Sequence, residues 1–438
     1  MFYNKILLFL LIFIFLIHDV DANDGKIAET ITLKQAISLA VSNNPKLIAL
    51  SYELTKAKGI TLQAGLLPNP EISFKIENFN GYGEFKNFES AERSLLLSQE
   101  IQLGNKRGKR EKVAVIEEDL ILWNIKSLKL DIIKDATQSF YDTLGLKELL
   151  NLNIELTKLA EKVYQTVNER VSAGKVSPLE EIKAKASLEN QKIELKNIER
   201  KLKSKGKELN AILGNREQSF ETVEGNLEML EPLKSLKELT ELISKNPDIA
   251  RLKTEEDHRR AVLKREESQI FPDITIAGGV KNINGKETMD EKTNKKKDNA
   301  YVVEFSMPLK VFDRNQGNIR EASQCLEQIN KEQYAAEVSI YKGLNSSYEE
   351  AATLLSQISF LRNNMLPAME KVFNSIQEGY RFGKFSYLEV LDAQRSFFES
   401  KSKYLESLFS YHKVYAEIER LVGETQNSLD EKGVMEND

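Results

Sequence analysis

Apolar positions along this chain change period in a fixed order, and they do so twice. Thr32 to Leu66 and Leu236 to Gln269 carry helical spacing. Prolines 68, 70 and 272 end these segments, because proline disfavours α geometry in the residue before it. Strict alternation follows. Ile72, Phe74 and Ile76 alternate with Ser73, Lys75 and Glu77; Leu95, Leu97, Ile101 and Leu103 alternate with Ser94, Ser98, Glu100 and Gln102. In the second half Ile274, Ile276 and Val280 alternate with Thr275 and Lys281, and Tyr301, Val303, Phe305, Met307, Leu309 and Val311 form a fourth one-sided row. Each row predicts a strand with one apolar and one polar face. The four strands make two hairpins, 71–103 and 273–311, joined by a Gly- and Asn-rich loop (78–90) and a Lys-rich loop (281–300). Very long helices are predicted over 105–172 and 316–380, then turns, then helices 179–213 and 387–422.

The two passes are copies. Residues 33–76 align without gaps on 235–278, with Asn44-Pro45-Lys46-Leu47 on Asn246-Pro247-Asp248-Ile249. Further on, Gly174-Lys175-Val176-Ser177-Pro178-Leu179-Glu180 falls on Gly383-Lys384-Phe385-Ser386-Tyr387-Leu388-Glu389. Agreement in order and spacing points to duplication, with repeats at 23–234 and 235–422 and a polar tail at 423–438. Val113, Ile116, Leu120 and Trp123 follow the 3-4-3 spacing of a coiled-coil seam. The 68-residue segment 105–172 matches the combined length of 179–213 and 33–66, and the second half repeats the match. Each long helix is therefore expected to pair with two shorter helices stacked end to end. The fold class is mainly α with a small antiparallel β part. Periodicity leaves two placements for the strands: a sheet lying on the helices, or one share of a transmembrane barrel completed by other subunits, for which about 10 residues per tilted strand suffice.

Composition narrows the setting. The chain has 438 residues, 41% hydrophobic and 29% charged, which supports a large core and argues against disorder. Mean hydropathy of −0.41 excludes a polytopic helical membrane protein. One cysteine, Cys325, excludes a disulfide framework. A formal charge of −5 offers no general field for nucleic acid, and three histidines make a multi-His metal centre unexpected. Lys5, the apolar run Ile6–Ile17 and Val20-Asp21-Ala22 read as a secretory signal peptide over 1–22, with a signal anchor as the alternative. No cysteine near that cleavage site would serve for lipidation. Enzyme signatures such as G-x-S-x-G, a Walker A run or H-E-x-x-H do not occur, so neither catalysis nor a cofactor is expected. His258, on a charged helix, is expected at the surface, and Cys325 on a helix face.

With the duplication, the leader and the paired turn motifs Arg170–Glu180 and Tyr380–Asp392, the chain resembles the TolC-like outer-membrane efflux proteins. Leu67-Pro68-Asn69-Pro70-Glu71 and Gln99-Glu100-Ile101-Gln102-Leu103-Gly104-Asn105-Lys106-Arg107 resemble the cation-efflux (CzcC-like) branch. The resemblance implies a homotrimer with a 12-stranded barrel in outer-membrane lipid and a helical periplasmic tunnel. It implies the exit duct of a tripartite efflux or type I secretion system, with a periplasmic adaptor and, through it, an inner-membrane pump as partners. The alternative is a periplasmic coiled-coil structural or adaptor protein without a pore.

Three groups of residues follow as candidates. Gly174 and Gly383 suit positive φ at helix ends, and Ser177 and Ser386 begin S-x-x-E capping boxes with Glu180 and Glu389. The resemblance makes these turns the adaptor-docking tip, with Arg170, Val176, Tyr380 and Phe385 around them; Val176, Phe385 and Tyr380 are expected to be exposed. Glu389 and Asp392, at i and i+3, share one helix face. The resemblance places them at the periplasmic mouth, as a gate and selectivity ring that attracts cations. Lys106, Arg107, Lys109 and Arg110 follow the second strand, where basic residues at a membrane interface are expected to snorkel. The lysines at 281, 286, 292 and 295–297 fit a solvated external loop.

Overall fold

The computed structural model describes residues 28–215, 220–289 and 292–424, so the signal peptide expected over 1–22 and nearly all of the tail at 423–438 lie outside the described residues. In chain order the elements are β1 (Ala28–Ile31), α1 (Leu33–Asn43), α2 (Pro45–Ala64), β2 (Glu71–Glu77), β3 (Glu92–Ile101), α3 (Lys106–Ser172), α4 (Pro178–Ile212), β4 (Phe220–Val223), α5 (Leu236–Leu242), α6 (Pro247–Ser268), β5 (Ile274–Met289), β6 (Lys292–Ser306), α7 (Gln316–Phe360), α8 (Leu366–Arg381) and α9 (Tyr387–Val422). They form two compact units. Among the described residues, one, whose regular elements are helices apart from β1 and β4, draws on the chain up to Pro45, on 129–242 and on 343–424; the other draws on 46–128 and 243–342. Each unit takes segments from both repeats.

Three expected helices are interrupted, and proline is the reason each time. The helix expected over 33–66 breaks at Asn44, which is extended (φ −67°, ψ 117°) because Pro45 follows it. The copy breaks at Asn246 before Pro247; there the Asn246 side chain caps α6 by accepting from Asp248 N at 2.7 Å. Between α7 and α8, Leu361–Met365 form a π turn. Pro367 lacks the N–H that would bond the carbonyl four residues back, and a π turn absorbs that defect without ending the helix. α3 has no proline after its start and runs 67 residues, about 100 Å of helix.

In the helical unit, Val163 and Val167 of α3, Ala184 of α4, Tyr380 of α8, and Tyr387 and Val390 of α9 form one buried cluster. Leu152, Phe373, Ala393, Phe397 and Phe398 form the next, with Phe373 stacked on Phe397 at 5.7 Å. β1 and β4 add a small parallel pair, Ala28↔Phe220 to Ile31↔Val223, which periodicity did not predict. The segment after β4 is strapped to α9. The Tyr411 hydroxyl donates to the Glu231 carbonyl, His412 Nε2 lies 3.0 Å from the Leu227 carbonyl, and the Tyr404 hydroxyl donates to Glu228. His412 is buried and stacked on Tyr141 at 4.0 Å; burial pushes its pKa down.

In the other unit, the four predicted strands make one antiparallel sheet in the order β2-β3-β5-β6. Glu71↔Ser98, Leu95↔Val280 and Ile276↔Phe305 set the register. One face carries Ile72, Phe74, Leu95, Leu97, Ile276, Val280, Val303 and Phe305, all exposed. The opposite face carries Glu71, Ser73, Lys75, Glu92, Ser94, Lys281 and Glu304, with Lys281 paired to Glu92. No helix among the described residues is long and apolar enough to cross a membrane.

Candidate functional site

The two turns of the helical unit are built alike, bond for bond. At the first, Gly174 has φ +68°, its N–H donates to Val171 O (2.9 Å), and Lys175 N donates to Arg170 O (2.9 Å). At the second, Gly383 has φ +75°, its N–H donates to Tyr380 O (3.0 Å), and Lys384 N donates to Gly379 O (2.9 Å). This pair of bonds is the Schellman closure, and it needs a residue without a Cβ penalty at positive φ.

The capping boxes differ. Ser386 and Glu389 form the full reciprocal box: Glu389 Oε2 accepts from Ser386 N (2.7 Å) and Oγ (2.8 Å), and Ser386 Oγ accepts from Glu389 N (3.4 Å). Those bonds from Ser386 hold the Glu389 carboxyl below its usual pKa. The box expected at Ser177 does not close. With Pro178 next, Ser177 accepts from Leu179 N at 3.3 Å, and Glu180 faces the tyrosines of the second turn. Proline at the first helical position fixes the entry, and the carboxylate is released to another task.

That task is electrostatic. Arg170 donates to the Tyr380 carbonyl, and its guanidinium sits 4.4 Å over the Tyr380 ring. Tyr380 is 4% exposed, so it is not the exposed contact residue the sequence suggested; it forms the floor beneath Arg170. Burial raises the Tyr380 phenol, with Arg170 opposing and Glu180 reinforcing. Burial, Tyr380 and Glu180 push Tyr387 up to about 12. Arg170 and Glu180 of the first turn thus bracket the tyrosines of the second. Phe385 folds over Gly379, where a Cβ would come 2.4 Å from its ring, and remains 36% exposed. Val176 is half-buried.

Glu389 and Asp392 are both exposed on one side of α9. Their environments differ: Glu389 is held in the cap, whereas Asp392 stands beside Arg395, which itself bonds Glu399 at 2.6 Å. Asp392 also lines a groove of about 900 Å³ between α4 and α9, floored by Leu149, Leu152 and Leu156 of α3.

At the strand roots the four basic residues part company. Lys106 is 4% exposed, with Nζ 2.7 Å from both Asp273 oxygens; Asp273 Oδ1 also accepts from Leu103 N at 3.2 Å. Arg110 turns to the end of α2, where it donates to the carbonyls of Ala64 (2.9 Å) and Leu66 (3.2 Å). Within the chain, both therefore brace the hairpin rather than reach outward. Arg107 is exposed and Lys109 half-buried. Asn105 (φ 55°) and Asn315 (φ 62°) start α3 and α7 from the same left-handed conformation, a correspondence the sequence reading missed. His258 is not a surface residue: its side chain is 13% exposed, with Nε2 3.1 Å from Glu117. Burial lowers its pKa, and Glu117 and Glu255 oppose that. Cys325 is half-buried on α7.

Comparison with known proteins agrees with this architecture. The model of the family described as "Outer membrane efflux protein" matches residues 36–215 and 239–424, one segment per repeat. The chain is 30% identical over 396 residues to the cobalt-zinc-cadmium resistance protein CzcC of Cupriavidus metallidurans, covering 90% of this chain and 91% of that one. It is 21% identical to the probable outer membrane lipoprotein SilC of Salmonella typhimurium, covering 82% of this chain and 74% of that one. Among solved structures, CusC superposes with a TM-score of 0.75 at 17% identity (93% and 96% of the two chains). The open state of the Neisseria gonorrhoeae MtrE outer membrane channel gives 0.71 at 16% identity (90% and 89%). On the family match across both repeats, this chain belongs to the outer membrane efflux protein family.

Proposed function

We propose that three copies of this efflux channel close a twelve-stranded barrel in the outer membrane, and that the duct they enclose passes divalent metal cations. The observation that carries the reading is the four-stranded sheet. Its apolar face is bare, with Ile72 73%, Phe74 64%, Val303 82% and Phe305 65% exposed. Its outer strands, β2 and β6, have no further partner among the described residues. Lipid accepts such a face but accepts no open edge, so closure against identical neighbours is required. The charged face of Glu71, Lys75, Glu100 and Glu304 then lines the pore. A water-soluble adaptor without a pore would have to hide that apolar face instead. The cargo assignment rests on the 30% identity to a protein named for cobalt, zinc and cadmium resistance.

The residue roles follow. The twin turns, with Val176 and Phe385 beside them, dock the adaptor that links the duct to an inner-membrane pump. Arg170, Glu180 and Tyr380 hold the two turns together in the resting state. Asp392 presents the free carboxylate of the periplasmic mouth, while Glu389 serves chiefly as a cap. Arg107 and Lys109 remain available to the membrane interface, whereas Lys106 and Arg110 brace the strand roots. Conduction is passive, and docking opens the mouth by moving the helices around the turns. The test is reconstitution into planar bilayers. A cation-preferring channel whose deletion sensitises the host to zinc or cobalt is the expected result; a non-conducting protein would overturn the duct, and a conducting one without a metal phenotype would overturn the cargo.

A further inference from the structure

The apolar rows on the two edge strands of the sheet are not level. Phe74 of β2 stands in one hydrogen-bonded row with Leu95, Val280 and Tyr301 of β6. On β2 the apolar positions are Ile72, Phe74 and Ile76, centred on Phe74. On β6 the pairing stops at Ser306, because its partner Thr275 is the second residue of β5. The apolar alternation runs on past that point. Tyr301, Val303, Phe305, Met307 and Leu309 are all exposed, and they centre on Phe305. The two edges therefore match when the row of Tyr301 is stepped from 301 to 305, an offset of four residues.

Closure of a barrel gives the same offset by a separate route. Four strands roughly 4.8 Å apart and tilted about 35–45° climb about 13–19 Å from one copy to the next, or about four to six residues. The offset must be even, since an odd one would turn the apolar face of a copy into the pore. Side chains separate four from six. β2 and β6 run in opposite directions, since the three pairings between them are all antiparallel. With an offset of four, Glu304 of one copy faces Lys75 of the next, and Met307, Phe305 and Val303 face Ile72, Phe74 and Ile76. The ladder then ends where both strands carry proline, at Pro70 and Pro308. With an offset of six, Glu304 faces Glu77 and Pro308 falls inside the ladder. With no offset, Glu304 faces Glu71. Like charges directly opposite destabilise a sheet, and opposite charges support it. Lys75 is 63% exposed at its side chain and its Nζ is 2.7 Å from Glu77, which leaves ammonium donors for a second carboxylate.

We propose that β6 of one copy pairs with β2 of the next in the register that sets Glu304 opposite Lys75, and that this ion pair, repeated at each seam, selects that register. The proposal rests on the barrel reading above. Its test is a cysteine scan of the full chain in outer membranes, with Cys325→Ser as the background. Glu304→Cys is combined in turn with Glu71→Cys, Ser73→Cys, Lys75→Cys and Glu77→Cys, and the membranes are oxidised. Opposed residues have Cα atoms about 4.5–5.5 Å apart, within disulfide reach, and a slip of two residues takes them beyond about 7 Å. Covalent trimer on a non-reducing gel should peak at Lys75→Cys, about tenfold above the other three. If these variants do not assemble, Phe305→Cys with Phe74→Cys carries the test on the apolar face, and should exceed Phe305→Cys with Ile76→Cys by the same factor. A peak at another position, or no crosslink in an assembled trimer, would overturn the register and leave the barrel standing. Glu304→Lys should lower the trimer yield about fivefold, and Lys75→Glu with Glu304→Lys should restore it; equal yields would overturn the part given to the ion pair. A parent protein that forms no heat-modifiable trimer would overturn the barrel, and the seam with it.

Discussion

Arg170→Met should unlock the periplasmic mouth. The side chain makes two contacts with the second turn, a charge-assisted bond to the Tyr380 carbonyl and a cation–π contact at 4.4 Å. A hydrogen bond from a charged donor contributes about 1.5–3 kcal/mol, and a partly exposed cation–π pair about 0.5–1 kcal/mol. Arg170 is half-buried, so the lower ends apply, giving a sum of about 2 kcal/mol. If both contacts belong to the closed state alone, the closed-to-open ratio falls roughly thirtyfold, since about 1.4 kcal/mol is a factor of ten. Single-channel recording in planar bilayers reads this as a rise in open probability. Arg170→Lys keeps the charge but cannot reproduce the planar stack, and should fall in between. The reasoning is refuted if Arg170→Met conducts like the parent while its melting temperature is unchanged. A lower melting temperature with unchanged gating would assign the contact to fold stability instead.

Other consequences are open to direct measurement. Charge reversal by Asp392→Lys should reduce cation preference in reversal-potential measurements, and Glu389→Gln, which removes a charge instead of reversing one, should do so less. The depressed Glu389 pKa gives stability that is present above its unfolded value and is lost as pH falls through its lower folded value; melting of Glu389→Gln should therefore converge on the parent as the pH drops below about 4.3. Gly145 faces Phe409, whose ring would lie 2.3 Å from any added Cβ, so Gly145→Ala should cost about 1–3 kcal/mol in thermal unfolding, and Phe409→Leu should recover part of it. Lys106→Met leaves Asp273 without its cation and should lower the melting temperature, whereas Lys106→Met with Asp273→Leu should return most of the loss, a double-mutant cycle that isolates the pair.

Periodicity carried much of this fold because the elements are long and one-sided. Ile72-Phe74-Ile76 and Val303-Phe305 announce strands without tertiary information, and the Gly174 and Gly383 turns repeat a local rule. The breaks at Asn44-Pro45 and Asn246-Pro247 were missed: proline restrains the preceding residue, but apolar spacing continued through both sites and carried the expected helices across them. The π turn before Pro367 was not legible: proline predicts a defect, but packing decides whether a helix ends or bulges. β1 and β4 are four residues each and pair across almost the whole first repeat, so no local pattern marks them. At the candidate site, sequence located the turns and the acidic pair. It could not see that Tyr380 lies beneath Arg170, that Glu180 leaves its cap, or that Lys106 is tied to Asp273, because each depends on a partner more than 100 residues away or on a neighbouring proline.

The most direct measurement is the mass of the intact particle extracted from membranes in mild detergent, read together with a three-dimensional map of its strands. Three chains that share one closed wall of twelve strands, with Ile72, Phe74 and Val303 facing detergent, are the predicted outcome. A monomer, or an assembly whose four-stranded sheets stay separate with β2 and β6 unpaired, would contradict it.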